Sequence, residues 1–435
     1  MMNKTIYFLL IPLVILVTGC GSAGNSSSSD PSSLTVWHWM GDRQEAFEEL
    51  AARYQKLTGI KVSFDLYAPS EAYSQKVKAA AQTKTLPDIY GILGDTRDFA
   101  SFIKSGYVAE IGETVGPEEI GPFRSRLFEK ALEVNTFKEG NEYGVKPGLY
   151  GVPLDMTNVQ LVYNKDLFRK AGLDPEKPPV TWDDFVKTVR QLRQKDVPVL
   201  ASGFGEIWLI DILATSFAMN LMGEEKVYDT YRGKVPYTDP DWVRVLALFE
   251  EMAEEGAFVS GTVTMVNKTA EQTFANGRAA FAWNGSWCVN VYKGMNPDLD
   301  YGVVLPPRIN PNRPSRIWGG AGNSLMVNNQ SPRKAEAMKF LKWITDDAQQ
   351  AYFANATNNL PANRNAVSGL APVLAQFSDD LDNTFHLNTM PAHELPQVVE
   401  AWDKGIQSIM IQERTPAQIA QDVQNVKERE SRHKS

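Results

Sequence analysis

A chain of 435 residues with 43% apolar and 22% charged side chains has the size of two or three domains and an ordinary globular composition, which excludes disordered, collagen-like and multi-span membrane proteins. With 44 basic against 52 acidic residues the net charge is -8, which disfavours a nucleic-acid binder, because that affinity comes from neutralising phosphates. Two cysteines rule out a disulfide framework and a four-cysteine zinc site, and four histidines offer few metal ligands, so no metal or other cofactor is expected. Ten Trp and fifteen Tyr supply many flat aromatic faces instead.

Lys4 followed by an apolar run over 6–17 has the layout of a secretory signal. The run is shorter than the roughly 20 residues that span a bilayer. Val17-Thr18-Gly19-Cys20 comes next. Small residues directly before Cys resemble the lipobox of bacterial lipoproteins, which implies a signal peptide over 1–19 and a diacylated Cys20 at the mature N-terminus; ordinary cleavage beside a chance Cys is the alternative. Residues 20–33 are small and polar and read as a flexible tether. Cys288 has no second structural cysteine and reads as a buried thiol.

In the body, 34–39 (LTVWHW) is β-branched and aromatic, a first strand. Gly41-Asp42 is turn chemistry, and Phe47, Leu50, Ala51, Tyr54 and Leu57 form one helical stripe closed by Thr58-Gly59. Alternation over 60–66 predicts a strand, then a helix near 73–83 and a short strand over 87–92. Strands alternating with helices mean βαβ units and a mostly parallel sheet. Residues 117–148, with Gly140, Gly144, Pro147 and Gly148, read as a loop or crossover. A strand over 159–164 follows, then a helix capped by Thr181, mainly helix over 205–285, a strand over 301–305, a proline-rich 306–314 and a helical stripe of Ala337, Phe340, Leu341 and Ile344. The charged end, 426–435, reads as a flexible tail.

The segment 150–173 (YGVPLDMTNVQLVYNKDLFRKAGL), followed by the Thr181-Trp182-Asp183-Asp184-Phe185 helix start, resembles family 1 extracellular solute-binding proteins, the maltose-binding-protein-like sugar receptors of ABC transporters. WMGDR at 39–43, LPDIY at 86–90, SGYVAEI at 105–111, FANGRAAFAWNGSW at 274–287, YGVVLPP at 301–307 and LPQVVEAW at 395–402 fall in the family's order. The resemblance implies a periplasmic-binding-protein-like α/β fold: two discontinuous lobes, joined by a hinge, with a ligand cleft between them. The crossings then fall near 150–157 and 301–307. The N-terminal lobe comprises 34–152 plus 304–346, and the C-terminal lobe 153–303 plus 347–425.

A sugar site needs flat rings for apolar C–H faces and polar side chains for hydroxyls. Trp39, Asp42 and Arg43 follow the first strand, where open α/β sheets bind ligands. The resemblance adds Asp95 in the loop after the third strand, Asp155 at the first crossing, and Trp283, Asn284 and Trp287 in the second lobe. It also matches Trp402 to a stacking Trp. Trp208 and Trp318 lie in segments that face the cleft in such proteins, and Gly319-Gly320 would let backbone N–H groups approach a ligand. Arg364 is a further candidate. Trp37, Trp182 and Trp343 read as packing, and His38 as structural.

No P-loop, nucleophile elbow or spaced carboxylate dyad occurs in the sequence. The expectation is a monomeric, non-enzymatic receptor anchored through Cys20 on the extracytoplasmic face of the bacterial membrane. It would bind a carbohydrate, a di- or oligosaccharide, and deliver it to ABC permease subunits, with no nucleic-acid partner. The alternatives are a secreted polysaccharide-degrading enzyme, the same fold with a non-sugar solute, or a receptor that reports to a sensor.

Overall fold

A computed structural model describes residues 33–94 and 96–432; the signal segment, Cys20 and Asp95 lie outside them. The first strand, Ser33–His38, alternates half-buried and buried positions, so Leu34, Val36 and His38 face the core. The helix Gln44–Thr58 covers that face with Phe47, Leu50, Ala51 and Tyr54, and ends where Gly59 takes φ 79°. Lys61–Leu66 pairs parallel on one side of the first strand and Ile89–Tyr90 on the other. Ser324–Val327 then adds antiparallel to Ile89–Tyr90, and Val152–Pro153 closes the sheet.

The second sheet is built on the ten-residue strand Asp155–Asn164, which is buried along nearly its whole length. Phe281–Gly285 and Tyr301–Val304 pair antiparallel with its Asn164 half, while Ile317–Ala321 and Leu360–Pro361 pair with its Asp155 half. Thr384–Phe385 lies parallel to Ile317–Ala321. Helices Trp182–Gln194, Trp208–Met222, Pro240–Glu254, Pro396–Met410 and Pro416–Arg432 enclose this sheet's core. The molecule is therefore two α/β lobes. Among the described residues no helix is long and apolar enough to cross a membrane.

Several expectations shift. The second crossing lies at 321–324, not 301–307. Tyr301 sits opposite Asn164, inside the second sheet. The proline-rich stretch after it is held by Asn220, whose amide oxygen accepts from Ile309 N at 2.7 Å and Asn310 N at 3.0 Å. The helix Asp347–Thr357, expected in the C-terminal lobe, packs on the first one: Phe353 stacks on Phe47 at 5.2 Å. Residues 117–148 hold the short helices Pro117–Arg126 and Glu129–Glu133 and a hairpin of Thr136–Phe137 with Gly148–Leu149. The end of the chain is helical through Arg432, because Lys427 is 6% exposed and ion-paired to Glu394.

Both crossings meet at one buried ion pair. Arg43, 8% exposed in the turn after the first strand, binds the Asp155 carboxylate, itself 1% exposed. The other Asp155 oxygen accepts from Asn323 N at 2.6 Å, and its carbonyl from Gly322 N at 2.9 Å. A Cβ on Gly322 would lie 2.4 Å from that carboxylate, so only glycine fits. Burial pushes the Asp155 carboxyl up, against the pull of Arg43 and Asn323. Removing one partner leaves a desolvated charge unpaired, at a cost of about 3 kcal/mol or more. Asp155→Ala should lower the unfolding free energy by about that much in urea titration; a loss below about 1 kcal/mol would show that the pair does not hold the junction.

Candidate functional site

The second lobe presents three tryptophans together. Trp208 opens the helix Trp208–Met222 and is 37% exposed. Trp287 follows Phe281–Gly285, and Trp318 lies on Ile317–Ala321. Ring centroids are 6.1 Å apart for Trp208 and Trp287, and 6.0 Å for Trp208 and Trp318. A Cβ at Gly285 would sit 2.0 Å from the Trp287 ring, so the glycine makes room for the indole. Trp208 Nε1 donates to Glu206 at 3.3 Å and Trp287 Nε1 to Glu271 at 3.2 Å. His386 packs on Trp318 at 5.4 Å with its ring tilted by 32°, and burial drops its imidazole to about 4, so it is neutral at physiological pH.

The first lobe contributes Trp39, which lies over Gly91 and against Tyr73 at 5.0 Å. Trp39, Asn135, Asn323 and Ser324 share a cavity of about 230 Å3 with His386, so both lobes line it beside the crossings. It adjoins at Thr96 and Val134 a wider cleft of about 790 Å3, lined by Arg97, Glu133 and Tyr143 on one side and His393 and Glu394 on the other. Asp42 is half exposed, 3.7 Å from Arg43 Nε.

Other expected contacts are engaged elsewhere. Arg43 and Asp155 are spent on each other. Trp283, 1% exposed, and Trp402, 4% exposed, are core; Trp402 packs on Trp242 at 5.2 Å and Tyr237 at 5.5 Å, so neither offers a face to a ligand. Asn284 is buried and bonds Glu271 at 3.2 Å and Tyr292 at 3.2 Å. A Cβ on Gly319 would meet the Thr157 carbonyl at 2.7 Å, and one on Gly320 would crowd His386 at 3.3 Å, so both glycines serve packing. Arg364 is on the surface, donating to the Leu127 carbonyl at 3.2 Å and lying over Phe128. His38 is buried against Gln44 at 2.8 Å and Cys288 is a buried thiol, as expected. His386, Glu206 and Glu271 were not singled out from sequence: each is separated from its aromatic partner by a distance in the chain that no local pattern encodes, except Glu206, two residues before Trp208.

Behind Trp208, Asp211 and Asp403 lie on the packed helices Trp208–Met222 and Pro396–Met410. Asp403 is 1% exposed and one of its oxygens has no partner. Burial raises Asp211 to about 6; burial and then the Asp211 charge raise Asp403 to about 9. The Tyr231 hydroxyl also faces Asp211, and the nearby Lys427 is committed to Glu394.

The family profile described as bacterial extracellular solute-binding protein matches residues 49–383. The melibiose/raffinose/stachyose-binding protein of Bacillus subtilis strain 168 is 24% identical over 395 residues, covering 86% of this chain and 83% of its own. The multiple sugar-binding protein of Streptococcus mutans is 25% identical over 351 residues, covering 78% and 77%. Among solved structures, the apo form of RafE from Streptococcus pneumoniae superposes with TM-score 0.73 at 15% identity over 91% of this chain and 96% of that one. A chitin oligosaccharide binding protein superposes with TM-score 0.70 at 21% identity over 91% and 98%. These likenesses establish the two-lobed fold.

The acid pair makes stability depend on pH. Both folded-state values lie above the ordinary Asp value of 3.8, so the contribution is complete below about pH 4 and is lost as pH rises through about 6 and then about 9. Asp403→Asn should flatten the fall in unfolding free energy between pH 5 and 9, where each retained proton accounts for up to about 1.4 kcal/mol per pH unit. Parallel pH profiles for the two proteins, measured by thermal unfolding, would contradict this.

Proposed function

The chain belongs to the bacterial extracellular solute-binding protein family, and on that premise we propose that it binds a di- or oligosaccharide in the cleft between its lobes and passes it to the permease of an ABC importer. The observation that carries this reading is the aromatic wall of Trp208, Trp287 and Trp318 beside a cavity that Trp39 and His386 enter from opposite lobes. Indole faces match the apolar C–H faces of pyranose rings. The polar side chains that line the cavity with Trp39, namely Asn135, Asn323 and Ser324, match hydroxyls. The names of the relatives, which bind melibiose, raffinose, stachyose or multiple sugars, support the same class of ligand.

Ligand held by both walls favours the closed arrangement over the open one, and the two crossings at 153–155 and 321–324 are the segments that would flex. The receptor makes and breaks no bond; the ABC importer supplies the work. Residues 1–19 are its signal peptide and Cys20 carries the lipid that keeps it, as a monomer, on the extracytoplasmic face of the membrane. Two acyl chains suffice for stable anchoring where one does not. Cys20→Ser should move the protein from the membrane to the soluble fraction and abolish labelling by radioactive palmitate; retention in the membrane would refute the anchor.

Titration calorimetry against raffinose, melibiose, stachyose and maltotriose tests the ligand class. At least one should bind and shift Trp fluorescence. Trp208→Ala, Trp287→Ala and Trp318→Ala should each weaken binding about tenfold, or about 1.4 kcal/mol, while Trp402→Phe in the core leaves the affinity within about twofold. Absence of heat and of any fluorescence change with every sugar, or release of product from polysaccharide by the purified protein, would overturn it.

A further inference from the structure

The N–H edges of two indoles in the aromatic wall rest on two carboxylates, and among the described residues neither carboxylate pairs with Lys or Arg. Glu271, on the helix Asn267–Ala275, is 7% exposed. Its Oε1 alone accepts three N–H groups: Trp287 Nε1 at 3.2 Å, Asn284 Nδ2 at 3.2 Å and Asn267 Nδ2 at 3.1 Å. The backbone N–H of Asn267 donates to Glu206 Oε1 at 2.7 Å, and the other Glu206 oxygen accepts Trp208 Nε1 at 3.3 Å. One continuous chain of hydrogen bonds, Trp287–Glu271–Asn267–Glu206–Trp208, therefore ties together the N–H ends of two neighbouring indoles.

Two physical consequences follow. A Trp side chain half open to solvent has a broad second torsion, and a hydrogen bond at Nε1 removes that freedom before a ligand arrives. Both indole donors are also spent on protein, so the rings offer faces and no N–H to whatever enters the cleft. Burying Glu271 without a cation is costly, and burial pushes its carboxyl up, but the three donors pull it back. A buried acid kept at that cost and aimed at an indole is placed to orient it.

We propose that Glu271 is a positioning residue for ligand binding: it sets the plane of Trp287 and, through Asn267 and Glu206, that of Trp208, so that the wall is preset for stacking. This rests on the sugar-binding reading above. The tests are Glu271→Ala, Glu271→Gln and each of these combined with Trp287→Phe, compared by calorimetry with raffinose or whichever sugar of the panel binds. Glu271→Ala should weaken binding about tenfold. Glu271→Gln keeps an acceptor at Oε1 and should stay within about threefold. In the Trp287→Phe background, which has no indole N–H at that position, Glu271→Ala should cost clearly less than it does beside Trp287, the remaining loss running through Asn267 and Glu206 to Trp208. A role confined to stability predicts a lower melting temperature with unchanged affinity of the folded protein, and that result overturns the proposal, as do independent, multiplicative losses in the double variant. Near-ultraviolet circular dichroism of the tryptophans decides the matter if no sugar binds: a band lost in Glu271→Ala and kept in Glu271→Gln supports the brace, and an unchanged band refutes it, whatever becomes of the carbohydrate reading. If Glu271→Ala does not fold, Trp287→Phe removes the indole N–H while Glu271 stays in place: weaker binding and a changed near-ultraviolet band support the brace, and unchanged affinity with an unchanged band refutes it.

Discussion

The buried pair of Arg43 and Asp155 stands where the two sheets meet, and the arrangement of the lobes depends on it. Asp155 begins the central strand of the second sheet, two residues after Val152–Pro153 closes the first. Its carboxylate takes the backbone N–H of Asn323, on the other crossing, and the guanidinium of Arg43, at the end of the first strand's turn. Three stretches far apart in sequence are thus fixed to one desolvated acid. A buried pair of this kind adds little net stability over an apolar packing, but losing either partner is costly. Its value here is geometric: it holds the floor from which both walls of the cleft rise.

The two walls differ in kind. The first-lobe wall is mixed, with Trp39 over Gly91 and a rim of Arg97, Glu133 and Lys138. The second lobe meets the cavity through His386, which packs on Trp318, and Trp208 and Trp287 follow behind it, with Glu206 and Glu271 bonded to two of the three indoles. An aromatic face rewards ring shape and is indifferent to linkage, whereas paired polar groups discriminate sharply between hydroxyl patterns. A cleft with both can grip a sugar through one lobe and read it through the other.

Much of the fold was legible in the chain. The period-two strand at 60–66, the helix marked by the stripe from Phe47 to Leu57 and the 150–173 segment with its Thr181 cap each carry local signals, and each forms the element expected, although Leu57 itself stays exposed. The place of Tyr301–Val304 was not legible, because alternation says which residues face inward but not which neighbour a strand chooses. The helical tail is not legible for a related reason: Lys427 looks like a solvated charge until Glu394, far away in sequence, arrives beside it. The candidate aromatic site was half legible. Composition and resemblance picked out Trp39, Trp208, Trp287 and Trp318, yet the same reasoning also chose Trp283 and Trp402, which tertiary packing buries. Glu271, on a helix, and His386, after a short strand, gain their places only when tertiary packing brings them to the indoles.

The central claim is that the cleft holds a sugar against the second-lobe wall. A crystal structure of the protein grown with raffinose or its best-binding homologue tests it most directly. The account predicts closed lobes and a pyranose ring in van der Waals contact, at about 4 Å, with the face of at least one of Trp208, Trp287 and Trp318. A sugar bound outside the cleft, or inside it with all three faces bare, would contradict it.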